Sequence, residues 1–380
     1  MKGWPAVIAV MLGIFAIVTT EILPIGLLTP IGSSFAISDG TAGLMMAMPG
    51  VLAAFAAPAV TVATGRFDRR PMLCALVLLL AVADVLAAVA PAYWMMLVSR
   101  VLVGIVIGGF WSIGAGLAGR LVPPGSTGRA TAVIFSAVPL GSVLGVPAGT
   151  FIGGAAGWRT AFAVMAALTA GVLVALIALL PPLPAERVTR PGVLGGLLRA
   201  AGIRSGLLVT FLVVLAHFGA YTYVAPFLER VTRLGPESVT ACLLLYGAAG
   251  IAGTFIAGSM AERRPRATFG VAAGMLAAAT LLFPVLGTAE IGAIALLAVW
   301  GIAYGAVPVC SKTWFAKSAP DAPEAASVIF TASFQATFSA GALAGGAVVD
   351  RASLSTVMVL GGVTALVAAA VMGWSGRSAR

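Results

Sequence analysis

Apolar stretches long enough to cross a bilayer, about 20 residues each, recur twelve times along the chain: 5–28, 42–63, 72–91, 94–118, 130–154, 160–181, 205–228, 238–260, 268–287, 291–315, 325–348 and 354–375. The longest polar interruption runs from Pro182 to Arg204 and leaves six stretches on either side. In hydrocarbon every backbone N–H and C=O must be satisfied within its own segment, so such runs predict helices. The expected architecture is an all-α membrane protein of twelve transmembrane helices in two pseudo-symmetric six-helix bundles, residues 1–181 and 205–380, joined by a linker at 182–204. Lys2 before an apolar run gives the start the outline of a signal peptide. Glu21 and Pro24 continue the same segment without a convincing cleavage site, which predicts a retained first helix.

Composition sharpens this picture. Hydrophobic residues make up 61% of the 380 positions and charged residues only 9%, where soluble domains carry about 25% charged. The net charge of +10 invites a nucleic-acid reading, but the charges lie in short loops. With the N-terminus inside, seventeen Lys and Arg fall in cytoplasmic segments, against four outside: Arg159, Arg230, Arg233 and Arg351. That asymmetry follows the positive-inside rule and places both termini in the cytoplasm. The bilayer is then the partner that the charge serves, with no nucleic acid. There is no Asn, so no N-glycosylation sequon exists, and Gln335 is the only carboxamide. Cys74, Cys242 and Cys310 are irregularly spaced in apolar runs, which suggests neither disulfides nor a metal site. No G-x4-G-K-S/T loop is present, so ATP is not the expected energy source. Neither a cofactor nor catalysis is expected.

Two patterns point to mechanism. Arg66-Phe-Asp-Arg-Arg-Pro71 follows the second stretch and Met260-Ala-Glu-Arg-Arg-Pro265 the eighth, 194 residues later. An acid, two arginines and a proline thus recur at the same place in each half, as a duplicated six-helix unit would leave them. In the fifth stretch Gly141, Gly145, Gly149, Gly153 and Gly157 fall at steps of four, and Pro147 interrupts them. On a helix that spacing clears one face for close approach of another backbone, and the proline predicts a bend.

Ionisable groups inside the stretches are few: Glu21, Asp84, Arg100 and His217, with Lys312 near a helix end where it can snorkel. A charge at the bilayer centre costs roughly 2.5–3.5 kcal/mol on insertion scales, so such groups face a cavity or pair. Glu21, Asp84 and Arg100 are placed roughly 10 Å below the outer surface by the 1.5 Å rise per residue. Asp84 and Arg100 flank the turn Pro91–Trp94, so they are positioned to neutralise each other, as a structural pair or as part of the coupling machinery. Glu21 is left alone, and burial disfavours its charged form. A carboxyl that binds and releases a proton as a cavity opens and shuts is what proton coupling requires. His217 and Tyr221, four residues apart, share a face that suits either an amphipathic ligand or helix packing. Trp300, Tyr304, Phe334 and Gln335 lie at similar depth in the tenth and eleventh stretches, and Trp111 lies deeper toward the cytoplasm.

These segments carry a family resemblance. G-x3-G-x-P-x-G followed by Gly157-Trp-Arg-Thr-Ala-Phe162 resembles the fifth-helix antiporter motif of the major facilitator superfamily, in its drug–proton antiporter branch; here Val146 stands before Pro147 where glycine is commonest. Asp68 and Arg69 match the superfamily's loop motif between helices two and three, although Gly65 is one position late. Thr19-Thr-Glu-Ile-Leu-Pro-Ile-Gly-Leu-Leu28 and Arg100-x3-Gly104 resemble the branch's first and fourth helices. His217 to Phe227 resembles the seventh helix of sugar and metabolite exporters, and Trp300 to Pro308 through Trp314 with Phe334 to Gly346 look most like the bacterial purine ribonucleoside and arabinose-type efflux permeases. The resemblance implies a proton-coupled antiporter of the bacterial inner membrane, exporting a small organic metabolite or drug by alternating access and working as a monomer. Helices one, four, seven and ten would line the cavity, and Glu21 would carry the proton with Asp84 and Arg100. His217, Tyr221, Gln335, Trp300, Tyr304 and Trp111 would meet substrate. Asp68, Arg69, Arg70, Glu262 and Arg263 would form a cytoplasmic latch, and Gly141, Gly145, Pro147, Gly149 and Gly153 the hinge between the halves. A proton-linked uptake permease, or a membrane sensor that transports nothing, are the other readings.

Overall fold

The computed structural model describes residues 3–63, 67–114, 117–184, 196, 199–261, 264–319 and 323–375. Twelve helices within them are long and apolar enough to cross a membrane. In chain order these are α1 (Trp4–Ile22, resuming as Leu28–Phe35), α2 (Asp39–Ala63), α3 (Arg69–Ala88), α4 (Tyr93–Gly114), α5 (Thr127–Ala156) and α6 (Trp158–Leu179). The second half repeats the plan with α7 (Ala201–Tyr221, resuming as Val224–Arg230), α8 (Pro236–Ala261), α9 (Pro265–Leu286), α10 (Glu290–Ser318), α11 (Pro323–Arg351) and α12 (Leu354–Ser375). Proline opens α8, α9 and α11, where its missing N–H costs no helix bond. Asp68 caps α3 by accepting from the Arg70 N–H at 2.8 Å. Between α5 and α6 a single residue, Gly157, turns the chain at φ +84°. It therefore belongs to the turn and not to the glycine ladder that the spacing suggested, because a side chain is strained there.

Two large apolar cores result, with a smaller third cluster around Phe315 and Phe330. One gathers α1 to α6 around residues such as Ile14, Leu80, Phe110 and Phe162. The other gathers α7 to α12 around Phe227, Phe269, Trp300 and Phe338. Each borrows from the opposite half: Tyr223 packs into the first core, and Ile25, Met46 and Val146 into the second. Large apolar side chains remain on the rim, Phe151 (66% exposed) and Phe255 (74%) among them. A soluble fold would bury such residues, whereas lipid accepts them.

The first and seventh helices are both interrupted. α1 passes through a 3-10 segment, Leu23–Leu27, and α7 breaks at Thr222 and Tyr223. Interrupted helices at matching positions of two repeats are the strongest backbone pointer to a transport site. The interruption also corrects the reach of the first span, which runs to Phe35 instead of ending near residue 28. Glu21 consequently sits near the middle of its span rather than close to one end.

The two ends of the molecule differ in charge. Turns α2–α3, α4–α5, α8–α9 and α10–α11 form an arginine-rich end, and turns α1–α2, α5–α6, α7–α8 and α11–α12 an arginine-poor end.

Candidate functional site

Three buried ionisable groups converge in the first bundle, at the α1 interruption. Glu21, Asp84 and Arg100 are all at most 7% exposed. Thr20 stands between the last two: its hydroxyl donates to Asp84 Oδ2 at 3.3 Å, and its carbonyl accepts from Arg100 Nη1 at 2.9 Å. Thr169 on α6 donates to the same Asp84 oxygen at 3.2 Å, and Arg100 Nη2 donates to Ser99 Oγ at 3.2 Å. The expected direct pairing of Asp84 with Arg100 is thus replaced by a bridged one. Thr20 of α1 enters between the two helices and takes the hydrogen bonds, its hydroxyl toward Asp84 and its carbonyl toward Arg100. Asp84 Oδ1, Arg100 Nε and Thr19 Oγ1 are buried with no partner. Each such orphan costs roughly 1–3 kcal/mol, so the cluster holds unused hydrogen-bonding capacity where a packing role would have none.

Glu21 faces the other bundle. Its carboxyl lies close to Gln335 on α11 and within electrostatic range of Arg100 and Tyr304. Gln335 Oε1, 6% exposed at the residue level, has no partner. Alongside, α2 rides directly on α11: a Cβ added to Gly50 would stand 2.2 Å from Ser339 Oγ and 2.5 Å from the Gln335 carbonyl. The acid of one bundle and the only carboxamide of the chain therefore meet at the seam between them.

Below this seam the second bundle holds a stack of rings. His217 lies flat on Tyr304 (centroids 3.4 Å apart, planes within 8°) and on Tyr221 (5.0 Å). Trp300 Nε1 donates to His217 Nδ1 at 3.0 Å, which puts the proton of a neutral imidazole on Nε2, toward the Tyr246 hydroxyl at 3.5 Å. His217 (1% exposed) and Trp300 (0%) are interior members of the stack, while Tyr304 is half-buried at its edge. His217 is thus enclosed by rings of its own bundle. Trp111 lies apart from the stack, 6.0 Å from the Phe135 ring, and Lys312 of α10 reaches across to place Nζ 5.1 Å from that ring.

The glycine ladder has a different neighbour from the one expected. Cβ atoms on Gly141, Gly145, Gly149 and Gly153 would meet Val18, Ile22, Leu23 and Leu27 of the same bundle. The ladder seats the interrupted stretch of α1, with the Leu23 carbonyl 2.9 Å from a Cβ at Gly149. It does not lie between the halves. α5 meets the second bundle through Val143, packed on Gly247, and through Gly154, facing Pro236. α5 runs on as helix through both Pro139 and Pro147.

The arginine motif also engages its own bundle. Asp68 accepts from the Leu183 N–H at 3.1 Å, Arg69 N–H donates to the Leu183 carbonyl at 2.8 Å, and Arg70 Nη2 donates to the Ile177 carbonyl at 2.7 Å. The α2–α3 turn is thereby tied to the end of α6. Gly65, Arg66, Glu262 and Arg263 lie outside the described residues.

At the arginine-poor end the bundles are joined by contacts that the sequence pattern had not suggested. Arg230 grips Asp39 with both guanidinium nitrogens, at 2.5 and 3.0 Å. Asp350, the penultimate residue of α11, accepts from Ser38 Oγ at 2.7 Å and from the Gly40 N–H at 2.9 Å, so it caps α2 across the seam. The Tyr223 hydroxyl donates to the Ala342 carbonyl at 3.0 Å, against Gly43 and Gly346. This end is closed. One signal for it was present: Arg230 is among only four arginines on that side.

The profile of the Major Facilitator Superfamily matches residues 10–331. Relatives include the purine ribonucleoside efflux pump NepI of Escherichia coli O6:K15:H31, 31% identical over 97% of this chain and 93% of the pump. Another is the transcription regulatory protein OpdE of Pseudomonas aeruginosa, 33% identical over 97% of this chain and 92% of its own length. Among solved structures, a bacterial homologue of the human lysosomal transporter Spinster superposes with a TM-score of 0.80 at 17% identity, covering 99% of this chain and 97% of that one. With twelve helices in two bundles, interrupted first and seventh helices and a profile match over most of its length, the chain belongs to the Major Facilitator Superfamily.

Proposed function

We propose that this transporter is a proton-driven exporter of a small organic metabolite, working by alternating access as a monomer in a bacterial inner membrane. The arginine-rich end and both termini face the cytoplasm in this reading, on the positive-inside count, and residues 1–181 and 205–380 move as the two rocking units. The observation that carries the proposal is the meeting of Glu21 with Gln335 at the seam. Ionised, the carboxylate accepts from the carboxamide N–H; protonated, it becomes a donor, for which Gln335 Oε1 is an unused acceptor. One proton thereby changes the contact between bundles. Asp84 and Arg100, reached through Thr20, set the electrostatic background and offer the orphaned groups a proton or a water can use. Tyr304 and Gln335 are the side chains of the second bundle placed to touch a substrate at that seam. The efflux activity in the name of the Escherichia coli relative supports export and makes purine ribonucleosides the first compounds to test.

Inverted vesicles holding the purified protein, with an inward-acid gradient, should accumulate inosine or another purine ribonucleoside and lose accumulation when the gradient is collapsed. Accumulation in right-side-out vesicles driven by an acid exterior would instead identify an uptake permease. The name of the Pseudomonas relative favours a second reading, a membrane sensor. Substrate-dependent proton flux would exclude it, and binding without any flux would support it.

A further inference from the structure

Lys312 lies near the end of α10, where a long side chain has room to snorkel to the headgroups. Instead it crosses the seam, and Nζ stops 5.1 Å from the ring of Phe135 on α5. α10 packs on α7, α8, α9 and α11 of its own bundle, so the charge is projected into the space that faces the first bundle. Lys312 is exposed there, while Phe135 and Trp111 of α4 are half-buried, their rings 6.0 Å apart. Neither the Trp111 Nε1–H nor the Lys312 ammonium has a hydrogen-bond or ion-pair partner among the described residues. Two unused donors beside two aromatic rings are a poor fit to an organic cation, which the ammonium repels. They fit a flat ring with acceptors on its edge, which stacks on the aromatics and accepts from the donors.

We propose that Lys312 determines specificity in the transport path, selecting 6-oxopurine nucleosides over 6-aminopurine ones, with Trp111 and Phe135 as the stacking surface. The proposal rests on the reading of the protein as a purine ribonucleoside exporter and adds which part of the substrate meets which residues. Lys312 lies eight residues from Tyr304 on α10, about 12 Å along the axis. A nucleoside with its ribose at Tyr304 and Gln335 brings its base toward Lys312, on the side of the arginine-rich end. There the edge of the purine decides. A 6-oxopurine presents N7 and O6, two adjacent acceptors that one ammonium serves together. A 6-aminopurine presents N7 beside the N6 donor, whose hydrogens face the charge.

The test measures binding of inosine and adenosine, which differ at this edge, to the full-length purified protein by equilibrium dialysis. The unaltered protein should hold inosine at least about ten-fold more tightly, the worth of one hydrogen bond to a charged group. Lys312→Met should lose that preference by weakening inosine alone. Lys312→Arg should keep it, because a guanidinium serves the same two acceptors. Trp111→Leu should weaken both nucleosides equally, since stacking does not read the C6 edge. Arg129→Gln, which removes an exposed charge near the start of α5, should leave the preference as it is. The preference is a ratio of two affinities, so it does not depend on how much of a variant folds. Equal affinity for the two nucleosides in the unaltered protein, or an unchanged preference in Lys312→Met, would overturn the inference and leave the exporter reading standing. Binding of neither nucleoside would overturn both.

Discussion

Glu21 is held by its neighbours in a position that serves two bundles at once, and single substitutions there should separate chemistry from fold. Glu21→Gln keeps the size of the side chain and removes the proton. Accumulation against a gradient should vanish in vesicles, while substrate binding, read by equilibrium dialysis, stays within a few-fold. The Asp84 cluster should answer differently. Arg100→Gln strands a buried carboxylate, a change that typically costs about 3–5 kcal/mol, so poor expression and a lower melting temperature are expected, with partial recovery when Asp84→Asn is added. Thr20→Val removes only one of the two hydroxyls on Asp84 Oδ2 and should cost about 1–3 kcal/mol, with Thr20→Ser close to the unaltered protein in the same melts. The charged members of this cluster were legible in the sequence, because hydrocarbon makes every ionisable residue conspicuous. Thr20 and Thr169 were not. Threonine is common in membrane helices, and its hydroxyl usually returns to the carbonyl four residues back, as Thr131 does here. Nothing in the sequence marked which threonines turn outward to a charge.

At the scale of elements, the glycine ladder of α5 and the interruption of α1 form one unit. The ladder is what allows the backbone just after Glu21 to leave regular helix and still be packed, since the Leu23 carbonyl and Ile22 occupy the space that side chains on α5 would fill. Gly149→Leu should therefore disturb the position of Glu21 as well as packing. Overpacking typically costs about 1–3 kcal/mol, and uphill transport should fall further than melting alone accounts for. Gly154→Leu is the comparison. Gly154 is exposed and faces Pro236 of α8 across the seam, with only a 3.5 Å contact. Its enlargement should leave the melt unchanged and slow transport, measured in the same vesicles. The step of four showed that α5 has a smooth face, but periodicity cannot tell which neighbour that face meets. The 3-10 segment was hidden for a related reason. Leu23–Leu27 is apolar throughout apart from Pro24 and Gly26, so hydropathy runs straight through it.

At the scale of the whole molecule, twelve spans and their division into two sets were readable, because the bilayer fixes the length of each apolar run. How the sets meet was not, since the joining pairs are 191 and 310 residues apart in the chain. Arg230→Ala and Asp350→Asn each release one tie at the closed end. The Arg230 side chain is 49% exposed, which limits an ion pair to about 0.2–1 kcal/mol. Either variant should raise the population open at this end by up to roughly five-fold. Alkylation of a cysteine introduced near residue 43, on a background without the three native cysteines, would read that shift; an unchanged rate would show that the ties do not set the balance.

The cap that Asp350 places on α2 has a further consequence. In the closed form a carboxylate at the tail of α11, where the helix dipole repels it, is compensated by the positive start of α2. Opening separates the two and leaves the Asp350 carboxylate facing the negative end of its own helix, so the molecule behaves as if sprung toward the form described here. Water reaches these charges, and dissolved ions screen them over about 8 Å at physiological ionic strength. The electrolyte on one side of the membrane thus acts on the resting balance of the transporter. Raising salt on that side alone should loosen the spring, and raising it on the other should not.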